Sequence, residues 1–174
     1  MNESDVAVPA DESLIYQDEV FINFRTTRQW VSIKLFALPP ETDDEMVLAL
    51  LTRHVRYRDS YAAPEFKDAK TIHGPYWLSA ISAGSFAAVS AADAKTLIRT
   101  WANYTEPPTG DVRVAMEREV YQRIQEATNC YQLPDMRETA QHDWGYVVGS
   151  DGFYELVLIN RHSSSVALLV ASDD

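Results

Sequence analysis

The chain has 174 residues, 46% of them apolar and 11% aromatic, enough for one sizeable core and too few for two comfortable domains. Its 26 acidic residues against 15 basic ones give a formal charge of −11, which disfavours nucleic acid or an anionic membrane as partner, because both reward clustered Lys and Arg. A basic or neutral partner is permitted by this balance and not implied by it.

No apolar run approaches the roughly 18 residues of a membrane-spanning helix, and the segment from Met1 to Glu12 has neither a basic nor an apolar leader region. A cytoplasmic protein without membrane attachment is expected. The single cysteine, Cys130, rules out an intramolecular disulfide framework and fits a reducing compartment. A nucleophilic role would need a basic neighbour, whereas a packed residue at a helix end needs none, so Cys130 reads as the latter.

Residues 1–13 are polar and acidic and read as a frayed, flexible segment, leaving 14–174 as a single α+β domain. Val20-Phe21-Ile22-Asn23-Phe24 and Trp30 to Phe36 are β-branched and aromatic runs, a hairpin stopped by Pro39-Pro40. Val31, Ile33 and Leu35 share one face of its second strand and should be buried, with Trp30, Ser32, Lys34 and Phe36 on the other. Thr42 with Glu45 has capping-box spacing and opens an amphipathic helix carrying Val47, Leu50, Leu51, His54 and Val55. Residues 59–76, broken by Pro64, Gly74 and Pro75, form the longest irregular connection.

The stretch 76–89 is apolar without clean periodicity, with strand favoured around Phe86 to Val89. Ser90 with Asp93 caps a second helix whose stripe is Ala94, Leu97, Ile98, Trp101 and Ala102, ending before Pro107-Pro108. A third helix starts at Asp111 with the stripe Val112, Met116, Val120, Ile124, Ala127 and Tyr131, a Glu119–Arg123 pair outside, and Pro134 as its end. Trp144 to Asp174 reads as a three-stranded antiparallel meander with turns at Gly149-Ser150-Asp151-Gly152 and His162 to Ser165. The order of elements implies α+β: an antiparallel sheet of N-terminal hairpin plus C-terminal meander, five strands in all, with about three helices on one face.

No phosphate-loop, dinucleotide, zinc-protease, paired-cysteine or nucleophile-elbow motif occurs, and six glycines leave little material for a phosphate-cradling loop. No cofactor is expected. None of His54, His73, His142 and His162 is spaced to bind metal with another, although His73, His142 and Asp143 can in principle assemble in space. His54 on its apolar stripe reads as a hydrogen-bonded boundary residue.

Strand register supplies the sharpest candidate site. Pairing Val148 with Phe153 sets Tyr146 opposite Glu155 and Trp144 opposite Val157; pairing Arg161 with Val166 sets Glu155 opposite Ser172 and Val157 opposite Val170. One face then holds Glu155 ringed by Trp144, Tyr146 and Ser172, either a general acid or a polar anchor for a ligand, unless it is simply an edge-exposed carboxylate. The opposite face, with Val147, Tyr154, Leu156, Leu158, Leu169 and Ala171, is the main-core candidate. A second candidate is an anion site in which Arg53, Arg56 and Arg58 converge with Arg25 and Arg28; solvated charges at a helix end explain the same residues. Two function classes follow: a non-enzymatic binding or accessory domain that engages another protein, or a small-molecule-binding or hydrolytic domain using Glu155 with Tyr146 or His142.

Overall fold

The computed structural model describes residues 13–62 and 69–174. The expected frayed segment lies outside these residues up to position 12, as does 63–68 of the long connection. The N-terminal hairpin is present as β1 (Ile15–Asn23) and β2 (Gln29–Ala37). A bulge between Tyr16 and Asp18 switches the parity of β1, so Tyr16 pairs with Phe36 on one face while Val20 and Ile22 pair with Ile33 and Val31 on the other.

Helix α1 (Asp44–Arg53) is capped by Asp43, whose side chain accepts from the Met46 N–H at 2.8 Å, not by Thr42. The Thr42 hydroxyl turns back to the Pro39 carbonyl at 2.9 Å. After a 3-10 turn (Val55–Tyr57) the long connection contributes a small hairpin, β3 (Ile72–His73) with β4 (Tyr76–Trp77). The ambiguous 76–89 stretch resolves into that strand, two 3-10 turns and a short strand β5 (Ala87–Val89). Ser90 caps α2 (Ala91–Ala102) by accepting from the Asp93 N–H at 3.0 Å, and Ala94, Ile98, Trp101 and Ala102 are buried.

The third helix runs as α3 (Gly110–Ala115), a π-helical stretch (Met116–Tyr121) and α4 (Gln122–Glu126) without a break. Its buried stripe Met116, Val120, Ile124 has a spacing of four. In a 3.6-residue helix each such step overshoots by about 40°, and the wider i→i+5 turn takes up that overshoot, keeping the stripe on the sheet. The helix does not extend to Pro134: Ala127 is extended, the Thr128 N–H donates to the Ile159 carbonyl at 2.7 Å, and Asn129–Leu133 form strand β6. Thr, Asn and Cys are weak helix formers, and β6 offers their backbone a paired alternative. A short α5 (Arg137–Ala140) and a 3-10 turn (Gly145–Val147) precede β7 (Tyr154–Asn160) and β8 (Ser165–Asp173).

The main sheet is antiparallel and six-stranded, in the order β1-β2-β8-β7-β6-β5. The hairpin and the C-terminal strands are joined through β2 and β8. The expected meander is a two-stranded hairpin instead, because β6 takes the place beside β7 that had been assigned to Trp144–Val148. Gly145 explains why that stretch packs elsewhere: a Cβ there would lie 2.3 Å from the Pro75 carbonyl oxygen, so the close approach requires glycine.

Helices cover both faces of the sheet, not one. On the first face, Ile33, Leu156, Leu158, Leu169 and Ala171 pack against Ala94, Ile98, Met116, Val120 and Ile124 of α2 and the α3–α4 helix. On the second, Trp30, Phe36, Val157, Ile159, Leu168 and Val170 pack against Val47, Leu48, Leu50 and Leu51 of α1 and against Tyr57, Tyr61, Tyr76 and Phe153. Burial on both sides suits the unalternated runs Leu156-Val157-Leu158-Ile159 and Val166 to Val170, whose residues are all buried.

Candidate functional site

Glu155 does lie on the second face, with no solvent exposure, but its neighbours are not those the register argument supplied. The four-residue turn between β7 and β8 begins one position earlier than expected. Asn160 Oδ1 accepts from the His162 and Ser163 N–H groups at 3.0 and 3.1 Å, so Asn160 pairs with Ser165 and Val166 with Ile159. Sliding a turn by one residue slips the pairing by two, which preserves the face and replaces the partner. Glu155 therefore stands opposite Val170, and on its other side opposite Leu133. Ser172 pairs with Trp30 of β2 and donates its hydroxyl to the Gly152 carbonyl at 2.9 Å.

The carboxylate is bound by two residues from the long connection. Tyr57 Oη donates to Glu155 Oε2 at 2.7 Å, and His73 Nε2 meets Glu155 Oε1. His73 Nδ1 faces the Tyr57 carbonyl at 2.5 Å, and the two rings stack at 3.7 Å with planes 2° apart. A carbonyl only accepts, so Nδ1 carries a hydrogen. Nε2 then faces Oε1 within the buried pair. Burial and the adjacent Glu155 push the Tyr57 hydroxyl well above its usual range, so it remains a donor.

A second buried polar node sits beside the first. Lys34 spends its three donors on Asp59 Oδ2 at 2.7 Å, the Arg56 carbonyl at 2.9 Å and Tyr61 Oη at 3.1 Å. Its Nζ lies 4.6 Å from the centroid of the Tyr61 ring. Sequence reasoning missed Tyr57, Lys34 and Asp59, and read His73 only as a possible metal ligand with His142 and Asp143, not as the partner of Glu155. The available signal was a lysine within the apolar strand Trp30–Phe36, which must find an anion if its face is covered. Together the two nodes tie the backbone of 56–59 and 72–74 to the sheet. With Glu155 and His73 both fully buried, the first node is an anchor that offers no surface to a substrate, whereas Asp59 of the second is 27% exposed and lines a shallow hollow with Trp30 and Tyr61.

The remaining candidates do not join it. His142 Nδ1 accepts from the Trp144 N–H at 3.1 Å, so its Nε2 carries the hydrogen and donates to the Gly74 carbonyl at 2.8 Å. Among the described residues no group of three or more His, Cys, Asp and Glu is placed to hold a metal. Of the arginines, Arg53 lines a hollow beside Ile81 to Gly84, Arg56 stacks over Tyr16 at 4.3 Å, and Arg25 borders Glu106 and Pro107, three different surroundings. Cys130 is buried on β6, where desolvation raises its thiol above the usual range, against a nucleophilic role.

Trp144 and Tyr146 occupy a different kind of place. They are 58% and 57% exposed, and Val147, next in the chain, and Trp77, on the β4 strand bridged to Gln141, are each 40% exposed. Trp144 and Tyr146 lie 6.1 Å apart, and the Trp77 ring meets His142 edge-on at 5.8 Å. The backbone beneath is braced. Arg137 donates to the carbonyls of Gly145 at 3.3 Å, Val148 at 2.5 Å and Gly149 at 2.7 Å, and the His142 N–H donates to the Pro75 carbonyl at 3.0 Å. Asp135, Glu138, Asp143 and Asp151 are exposed along the same 135–151 segment.

Among the described residues no helix is long and apolar enough to cross a membrane. Compared with models of known families, with curated proteins and with solved structures, the chain matches none.

Proposed function

We propose that this protein is a non-enzymatic binding module that engages another protein through the corner formed by Trp77, Trp144, Tyr146 and Val147. The observation that supports the reading is the exposure of three aromatic rings and a valine, each by 40% or more, on backbone held in place by Arg137 and His142. Large rings left in water contribute little to the fold, and Trp and Tyr are the side chains that most often carry protein-protein binding energy. A braced loop loses little conformational freedom when a partner docks, so more of the contact energy appears as affinity. The acidic residues along the segment suit a partner whose apolar contact is flanked by Lys or Arg.

The alternative, a small-molecule-binding or hydrolytic domain using Glu155 with Tyr146 or His142, lacks comparable support. Glu155 is sealed by Tyr57 and His73, and neither Tyr146 nor His142 touches it.

The test is partner capture with wild type and with Trp144→Ala/Tyr146→Ala, followed by titration of the purified partner against both. A partner whose affinity falls about 100-fold in the double variant, at unchanged melting temperature, supports the corner as the binding face. Equal affinity for both forms removes it.

A further inference from the structure

The opposite side of the sheet carries a feature of different chemistry. Between α2 and the α3–α4 helix runs an open groove of about 680 Å³, within the size range of small-ligand sites. Lys95, Arg99, Arg113 and Arg118 line it, against one carboxylate, Glu117, in a chain of formal charge −11. We infer that this groove is an anion site for a small soluble ligand bearing phosphate-type oxyanion groups.

The positive charge in the groove is poorly spent within the protein. The Lys95 ammonium donates to the Gln125 amide oxygen, a neutral partner. Arg99 lies over the Tyr121 ring at 4.4 Å, hydrogen-bonds the Tyr121 hydroxyl and reaches Glu117 only at 3.8 Å, so its stance is set by the tyrosine and no close carboxylate occupies its planar fork. Arg118 contacts Glu119 at 3.5 Å, but that carboxylate is held more closely by Arg123, at 2.7 Å. Among the described residues Arg113 makes no ion pair. Guanidinium groups facing one groove with no close carboxylate on their forks match the geometry of phosphate oxygens, which take paired N–H donors.

The helix geometry also favours a shared wall. Residues five apart on an α-helix point about 140° away from each other, which would send Arg113 and Arg118 to different surfaces. The π-helical stretch Met116–Tyr121 narrows that angle and turns both toward α2. One irregularity thus keeps the apolar stripe on the sheet and sets the two arginines on one groove.

The experiment uses the full chain and inorganic pyrophosphate as probe, followed by amide NMR. The site predicts saturable shifts confined to 95–99 and 113–125. Arg113→Gln/Arg118→Gln, both exposed positions, should weaken binding about tenfold or more at unchanged melting temperature. Trp144→Ala/Tyr146→Ala should bind pyrophosphate as wild type does. Non-saturable shifts, shifts reproduced by potassium chloride of equal ionic strength, or undiminished binding by the arginine variant would each overturn the assignment. Co-sedimentation with phosphatidic acid vesicles without pyrophosphate binding would overturn the free-ligand form and replace it with a lipid headgroup.

Discussion

One face of the sheet is closed by α2 and the α3–α4 helix with apolar side chains, apart from Gln29 at its edge, whose Nε2 donates to the Trp101 carbonyl in the last turn of α2. The other is closed by α1, the Val55–Tyr57 turn, the β3–β4 hairpin and segment 135–153 with polar side chains at its centre. The difference follows from backbone hydrogen bonding. A helix satisfies its own N–H and C=O groups, so it can be laid on a sheet through apolar contacts only. Irregular chain cannot, and each carbonyl it carries inward needs a donor. On the second face those donors are side chains: His73 serves Tyr57, Lys34 serves Arg56, His142 serves Gly74, and Arg137 serves Gly145, Val148 and Gly149. The buried titratable groups of this protein thus have a structural origin.

The comparison breaks most severely on the apolar face. Val120 is fully buried between helix and sheet, and Val120→Asp places an unpaired carboxylate there. It should cost more than about 4 kcal/mol and leave the chain largely unfolded. A circular dichroism melt with the wild-type midpoint would contradict this packing.

On the polar face the expected loss is smaller and local. His73→Ala leaves Glu155 with Tyr57 as its remaining side-chain partner, at a cost of about 3–5 kcal/mol for breaking a buried pair. Hydrogen exchange should show 54–62 and 72–77 losing protection while 112–126 keeps it. Uniform loss across both regions would mean that the two faces do not open separately.

Asp44 sharpens the comparison through pH. Burial alone would raise its carboxyl, but hydrogen bonds from Tyr131 and Arg161, the Arg161 charge and a bond from Asn129 outweigh that and hold it below its ordinary 3.8. The same contact pushes the Tyr131 hydroxyl up to about 12, after burial. A depressed carboxyl binds its proton more tightly in the unfolded chain. Its contribution is therefore complete above about pH 4 to 5 and is lost as the pH falls through the native value. Asp44→Asn should be less stable than wild type at pH 7, with the gap closing below pH 4; urea midpoints at the two pH values measure it. A gap that persists at pH 2 would assign the effect to packing of α1.

The smallest effect belongs to the aromatic corner. Trp144→Ala/Tyr146→Ala should change folding stability by no more than about 0.5 kcal/mol for each exposed ring. A larger loss in chemical denaturation would make the corner part of the second core.

Much of the fold was legible from local pattern. The β1–β2 hairpin, the Ser90 cap, the α2 stripe and the Met116, Val120, Ile124 stripe depend on neighbours a few residues away, and each stands as read. Even the faces of β7 and β8 survived a wrong register, since a two-residue slip preserves side-chain parity. The site did not survive it. Which residue stands beside Glu155 depends on where Asn160 starts a turn, on β6 displacing Trp144–Val148, and on Tyr57 and His73 arriving from 98 and 82 positions away. Alternation along a strand says which side a residue faces, but its neighbours on that side are set by strand pairing and by the segments that cover the sheet. Those are long-range contacts with no local signature, and for this chain only the tertiary structure decided that its best candidate acid is a buried anchor while its aromatic neighbours in prospect, Trp144 and Tyr146, face water.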